Sequence, residues 1–436
     1  MSDLSSISRL ATDVRAWLRE TGEPVPRQRV LENLFSICYE VSLKTEEGSR
    51  LRFTLTYQDP GNPDPEPPPN IRAHRWTWTM LAKPLPLNST SLAKLAAATP
   101  PYAATIGVYH DSNQGLIIWG LSDQELHWYN YTLREGSDAF IRPGAFQVEV
   151  YGTASFDIVG SFGRIGAIQL GNYRSMPVDV VGSGPVSQKL KRVADSHIEA
   201  VRIHPNTWGD AVVRKLTRDD RSFVRMGWED CLLRLLLGIK RQRHGGAVLF
   251  SELASELKPK YRAPYNGLES CLQRLAAANW DESKAEKSVW DKLVSDKPVP
   301  SKLVRDYSIA TRDVEDAKKG LDGAVALAVS LSRVDGLIWF RNGFQLGGFG
   351  VEITTKLEPS HVYLARTASG TIGRCKEIEI ERFGTRHRSM IRYCAKYPDS
   401  VGLIVSQDGE VRAVTSVDSR VVLWDDIALS RNVRVD

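Results

Sequence analysis

The 436-residue sequence is short of cysteine pairs, of net charge and of long apolar runs, and each shortage closes off a class of protein. Its five cysteines (Cys38, Cys231, Cys271, Cys375 and Cys394) are odd in number, widely scattered and free of any CxxC pair. That pattern excludes a disulfide framework and a zinc finger, and it reads as reduced thiols in a reducing compartment. The longest apolar runs, Gly115–Leu121, Leu232–Ile239 and Gly323–Leu331, fall far short of the roughly 18 residues a membrane span needs. Met1 to Glu20 is polar and amphipathic and lacks the apolar core of a signal peptide. The expectation is a soluble, cytoplasmic protein with no membrane partner. A net charge of +5 suits anionic ligands but is too small to argue for nucleic acid.

What is present is ordinary for a globular chain, with 42% hydrophobic and 25% charged residues. The length predicts two or three domains, each able to bury a core. Leu4 to about Val41 reads as one or two helices, with Ala11, Val14, Trp17 and Leu18 at helical spacing. Leu51, Phe53, Leu55 and Tyr57 alternate with Arg52, Thr54 and Thr56 as a half-buried strand, and Trp76, Trp78 and Met80 suggest its partner. Between them, Asp59 to Asn70 holds six prolines in twelve residues and reads as an exposed loop. A short helix at Ser91–Ala98 precedes a hairpin of Ala104–His110 with Gly115–Gly120, and Phe146–Tyr151 and Arg164–Leu170 follow as strands. The aromatics of this region (Trp76, Trp78, Trp119, Trp128, Tyr129, Tyr131) read as sheet core rather than a ligand pocket. Residues 1–205 are therefore expected to form an α+β domain with a mostly antiparallel sheet.

Val186 to Val201 reads as an amphipathic connecting helix. From Ser222 a clear helix begins, its stripe running through Val224, Trp228, Cys231, Leu232, Leu235 and Ile239 to Lys240, Arg241, Arg243 and a Gly245-Gly246 stop. Ala247–Phe250 follows as a buried strand. An insertion of about 255–310, rich in Pro, Lys and Trp, carries the helix Gly267–Ala278, and a second helix from about Val314 to Arg333 delivers the chain to Asp335. Strands at Leu337–Phe340, Val362–Ala365, Leu403–Val405 and Val411–Val414 complete a mixed sheet with helices packed on it. The fold class is thus α+β and α/β, with a second domain at 206–436.

Three short motifs carry the chemistry. Gly384-Thr385-Arg386-His387-Arg388-Ser389 opens an apolar helical pattern through Met390, Ile391 and Cys394. With Thr385 as N-cap, free backbone N–H groups and the positive end of the helix dipole sit beside three basic side chains, which is an anion site. About fifty residues earlier stands Asp335-Gly336-Leu337, and downstream Val405-Ser406-Gln407-Asp408-Gly409. Alone, the first would be a solvated helix start, the second a hairpin aspartate and the third a plain turn.

In this order the three motifs resemble the diadenylate cyclase domain, whose signature pair is Asp-Gly-Ala followed by Arg-His-Arg. The resemblance covers the chain from roughly residue 210, and the region before it is loosely similar to sensor-like domains fused upstream of such domains. It implies a metal-dependent nucleotidyltransferase that joins two ATP into the second messenger cyclic di-AMP with release of pyrophosphate. Asp335 is implied as the catalytic acid residue, either accepting the 3′-hydroxyl proton or holding Mg²⁺ or Mn²⁺. Gly336, Leu337, Gly348, Gly384, Thr385, Arg386, His387, Arg388 and Ser389 are implied as ATP-binding, His387 taking either phosphate or metal, and Asp408 as a further metal ligand. Leu337 replaces the family's alanine and is expected to crowd the ribose, and Gly347-Gly348-Phe349-Gly350 stands where a Leu-Pro is usual. The implied partners are ATP, a second copy with facing active sites, and an unidentified ligand of the N-terminal domain. One rival is a degenerate cyclase domain that binds nucleotide without turnover. Another is a nucleic-acid-responsive protein using Lys189–Arg192 and Lys240–Arg243.

Overall fold

The chain divides into two compact units, Met1–Pro177 and Val178–Leu429. The computed structural model describes residues 2–46, 48–62, 77–99, 103–123, 144–160, 163–203, 218–242, 244–295, 298–407 and 410–429. Among these, no helix is long and apolar enough to cross a membrane. All five cysteines are free, and burial pushes the thiols of Cys38, Cys231 and Cys394 upward.

In the first unit, apolar residues at helical spacing form α1 (Ser2–Glu20) and α2 (Gln28–Ser42). A ribbon of β1 (Thr45–Glu46) and β2 (Ser49–Arg50) precedes β3 (Phe53–Tyr57), β4 (Trp78–Pro86), helix α3 (Ser89–Ala96), β5 (Ala104–Asp111) and β6 (Gly115–Asp123). Then come β7 (Phe146–Gly152), β8 (Ser155–Gly160), β9 (Gly163–Gln169) and β10 (Asn172–Arg174). The eight-stranded sheet runs β10-β9-β8-β7-β3-β5-β6-β4. Only β3 and β5 pair in parallel, so the mostly antiparallel sheet expected from sequence is present. Phe53, Leu55, Val148 and Ile158 share one core with Leu34 and Phe35 of α2.

Two details differ from the sequence reading. β4 pairs with β6, and β3 lies between β5 and β7 instead. β3 is also buried on both faces, because Thr56 meets its hydrogen-bonding needs inside the sheet. Its Oγ1 lies 2.7 Å from Thr105 Oγ1 and accepts from Gln147 Nε2 at 2.9 Å. Trp119 is a core residue as expected, its ring 4.4 Å from that of Trp78. Trp76, Trp128, Tyr129 and Tyr131 lie outside the described residues.

The second unit opens with α4 (Gly184–Ile203) and α5 (Arg218–Arg241), followed by β11 (Gly246–Phe250) and β12 (Leu257–Tyr261). Helices α6 (Gly267–Val294) and α7 (Ser301–Leu331) lead to β13 (Leu337–Phe340), β14 (Leu346–Ile353), β15 (Val362–Ala365) and β16 (Lys376–Ile378). Helix α8 (Thr385–Lys396), β17 (Val401–Val405), β18 (Val411–Val417) and β19 (Arg420–Trp424) complete it. The mixed nine-stranded sheet has the order β12-β14-β13-β11-β17-β18-β19-β15-β16. Side-chain alternation gives it two cores. Val248, Phe250, Ile338, Phe340 and Leu403 pack under α5 and α7, while Ala247, Leu249, Leu337, Trp339 and Ile404 pack under α8.

The expected connecting helix is α4, and it is part of the second unit, which starts at Val178 rather than near 206. Val186, Leu190 and Ala194 enter the core, and Lys189 Nζ donates to Pro398 O at 2.6 Å and Thr415 Oγ1 at 2.8 Å. His197 of α4 is buried against Glu269 of α6, with Nδ1 2.5 Å from Oε1. Glu269 Oε2 also accepts the Phe344 N–H at 3.1 Å. The insertion is likewise more regular than its composition suggests. α6 runs on to Val294 and α7 starts at Ser301, because each helix supplies the packing partner of the other.

Glu269 therefore ties three segments together from a buried position. Replacing it by alanine strands the Phe344 N–H and His197, and should cost ~3 kcal/mol. Denaturant unfolding of Glu269→Ala checks this, and a loss below about 1 kcal/mol would contradict it.

Candidate functional site

Strand register gathers the sequence motifs at one end of the second sheet. β11 and β13 are parallel, with Val248 beside Ile338, so Gly246 lies level with Gly336. β17 runs antiparallel to β11 with Val405 opposite Gly246, and Val411 of β18 lies opposite Val405. Gly336, Gly246, Val405 and Val411 thus form one row across four neighbouring strands. The residues one step further out are Asp335, Gly245, Ser406 and Glu410. Adjacent positions in such a row are about 4.8 Å apart.

Helix α8 meets this end of the sheet with its first turn. Its N-cap is Gly384, not the expected Thr385, and no side chain caps it. Thr385 is the first helical residue and is exposed, since Gly384 already supplies the extended cap conformation. The N–H groups of His387 and Arg388 reach Gly384 O at 3.1 Å each, while those of Thr385 and Arg386 have no acceptor within the helix. Met390, Ile391 and Cys394 anchor the helix in the core.

Arg386 lies across the end of β11. A Cβ on Gly245 would come 3.2 Å from Arg386 Nη1, 3.1 Å from Val405 O and 3.3 Å from Gln407 N. Gly245 also has φ +72°, so glycine is needed there twice over. Among the described residues neither Arg386 nor Arg388 has a carboxylate partner, and the buried Nε of Arg388 has no acceptor. His387 stacks on Phe383 with ring centroids 5.5 Å apart. Its Nε2 lies 2.9 Å from Arg412 Nη1 and can only accept from it, so Nδ1 carries the ring proton. Arg412 is itself held by Glu410 and Asp425. Burial, and then the Arg412 and Arg386 charges, push the His387 pKa down to about 4. Ser389 spends its hydroxyl on its own helix, donating to Thr385 O at 3.0 Å.

Asp335 is exposed and faces Lys260 of β12, whose Nζ is 3.6 Å from Oδ2 and donates to Asp335 O at 3.1 Å. Gly336 has φ +122°, and a Cβ there would come 2.5 Å from Gly350 C, so the turn requires glycine. Leu337 is buried in the core that includes Met390 and Ile391. Gly347 and Gly348 are packing glycines. Cβ atoms there would meet the Trp339 ring at 2.5 Å and Pro259 Cβ at 2.6 Å. The structure therefore brings Asp335, Gly336 and Arg386–Arg388 to one sheet end and gives Leu337 and Gly348 structural surroundings. Asp408 lies outside the described residues.

Among the described residues no three His, Cys, Asp or Glu side chains are placed to hold a metal ion. Lys260, Arg412 and Gly245 were not singled out as site residues from sequence. Lys260 fell within the supposed insertion, and Gly245 served only as a helix stop. Arg412 carried one usable signal, a lone cation between Val411 and Ala413 in an apolar strand.

A family described as a probable sensor domain, DACNV, matches residues 20–123. The match lies within the first unit and spans α2 to β6. Comparison with curated proteins and with solved structures found no match.

The lowered His387 pKa has a stability consequence with a defined sign. Between about 6.5 and about 4 the unfolded chain takes up a proton on this ring that the folded chain does not. Stability of the second unit should therefore fall as pH drops through that window and level off below it. His387→Gln should flatten this part of the curve in denaturant unfolding across the window. An unaltered pH dependence would mean that the ring is not held neutral in the fold.

Proposed function

We propose that the second unit is a diadenylate cyclase acting in the cytoplasm and that the first unit regulates it. The observation that carries the reading is the row of strand ends that sets Asp335 one strand from Gly245, over which Arg386 lies. The probable sensor-domain match within the first unit supports the regulatory half. The burial of Leu337 beside Met390 and Ile391 weighs against crowding of the ribose, and so against a domain that binds nucleotide without turnover.

Each 3′-hydroxyl attacks the α-phosphate of the other ATP. An O3′–Pα bond forms, the bond from Pα to the bridging oxygen breaks, and pyrophosphate leaves. The charges this creates on phosphate oxygens call for fixed donors rather than a covalent nucleophile. Arg386 and Arg388, which have no carboxylate partner among the described residues, supply two of them by charge-assisted hydrogen bonds. The Thr385 and Arg386 N–H groups add the helix-end donors. His387, neutral and oriented by Arg412, offers Nδ1–H. Asp335 takes the 3′-hydroxyl proton, and Lys260 holds its carboxylate in the absence of substrate.

The donor set fits a divalent ion at Asp335. An exposed carboxylate with one partner at 3.6 Å suits Mg²⁺ or Mn²⁺, which take one or two carboxylates and fill their remaining positions with water and substrate phosphate. His387 does not fit as a ligand, because Nε2 already accepts from Arg412 and two guanidinium charges flank the ring. When bound, such an ion lowers the pKa of the attacking hydroxyl and offsets phosphate charge. One site holds one ATP, so the reaction joins two copies whose sites face each other.

Incubation with ATP and Mn²⁺, read by product mass, tests the reading. Cyclic di-AMP is the expected product, and ATP bound without turnover would overturn it. Asp335→Asn should lower the rate about a hundredfold or more with ATP binding largely kept. Arg386→Ala and Arg388→Ala should each weaken ATP binding by about 1.5–3 kcal/mol. An unchanged ATP titration in both would reduce the basic helix start to a solvated face.

A further inference from the structure

Helices α6 and α7 form an antiparallel hairpin of 28 and 31 residues, about 42 and 46 Å long at the usual helical rise. Only one end is rooted. Leu268 and Leu272 of α6, and Leu321, Ala324, Val325 and Val329 of α7, belong to the core of the unit. Between Gln273 and Ile309 no described residue is buried. Because α7 delivers the chain to Asp335, the free tip lies a whole helix length from the row of strand ends.

Large apolar side chains stand in water at that tip. Trp290 is 63% exposed, Leu293 54% and Val294 70%. Their spacing puts all three on one helix face. Val304, in the first turn of α7, is a further exposed apolar group on the other arm of the hairpin. Contiguous exposed apolar surface of this kind marks a contact site. The charge around it narrows the partner. From Asp281 to Ile309 the described residues include five acidic and five basic ones, in a chain whose net charge is +5. A nucleic acid or an anionic lipid surface requires a cationic face. A strongly acidic or basic protein gains nothing from a neutral tip. A second copy of the same tip brings equal numbers of both signs and the same apolar face, which is the self-complementarity a two-fold contact demands. Two hairpins joined in this way place four helices around one apolar centre.

We propose that the tip of the α6–α7 arm is a homodimer contact in which Trp290, Leu293 and Val294 pack against the same face of a second copy. This contact does not depend on the cyclase reading, and it is a surface separate from facing active sites. It tethers two second units and raises the effective concentration of each for the other.

Sedimentation equilibrium of the full chain without nucleotide tests the proposal over about a hundredfold range of concentration. The wild-type chain should show reversible self-association. Trp290→Glu with Leu293→Glu should weaken it about thirtyfold or more, the loss expected on removing a central interface aromatic. Trp290→Ala provides a milder version, and far-UV circular dichroism checks that each variant folds. Leu327→Glu, at an exposed α7 position far from the tip, should leave association unchanged. A wild-type chain that stays monomeric, tip variants that associate as before, or a Leu327 variant that dissociates equally would each overturn the contact. No activity is read, so a protein that makes no cyclic di-AMP leaves the result intact.

Discussion

Everything at the candidate site depends on the parallel pairing of β11 with β13. Parallel neighbours cannot be joined by a tight turn, so the chain must leave the sheet and return to its starting end. Here the excursion runs through β12, α6 and α7, and its return sets Gly336 level with Gly246. β17 then lies antiparallel on the other side of β11, which brings Val405 into the same row. Had β13 entered from the other end, Asp335 would stand a full strand length from Arg386.

The second requirement is steric. Gly245 and Gly336 both have positive φ and both sit where a Cβ would meet neighbouring atoms, Arg386 in one case and Gly350 in the other. Glycine thus lets the Arg386 guanidinium and the Asp335 turn come close to the strand ends. The electrostatics follow from that closeness. Arg386 and Arg388 have no carboxylate among the described residues, whereas Arg412 nearby is held by two. Arg412 is therefore tied in place and orients His387, while the other two remain available to an anion. A ring hemmed in by cations stays neutral, and because its Nε2 accepts from Arg412 the group it leaves free is Nδ1–H.

Much of this was readable locally. The Gly384–Ser389 helix start, the Asp335-Gly336 turn, the α5 stripe and the β5–β6 hairpin all appear in sequence, because turn chemistry and hydrophobic period act over a few residues. The same locality explains the misreadings. Thr385 looked like the cap because its side chain favours that place, yet the extended backbone of Gly384 took it. Leu337 looked like a group beside the ribose, but its side chain belongs to the α8 core. The Lys-rich stretch after Ala278 looked like loose insertion, and its helicity comes from α7.

The sequence by itself determined the mixed helix and strand content, the alternation that gives each strand its two faces, and the residue types available at the candidate site. Only the tertiary structure decided which strands are neighbours, that α4 belongs to the second unit, and that Lys260 and Arg412 stand beside Asp335 and His387. The reason is physical. Helix and strand patterns are set by the backbone geometry of adjacent residues, and any short window of sequence carries them. Lys260 precedes Asp335 by 75 residues and His387 precedes Arg412 by 25. Such partners meet only after strand pairing has been chosen, and that choice rests on burying both sheet faces at once.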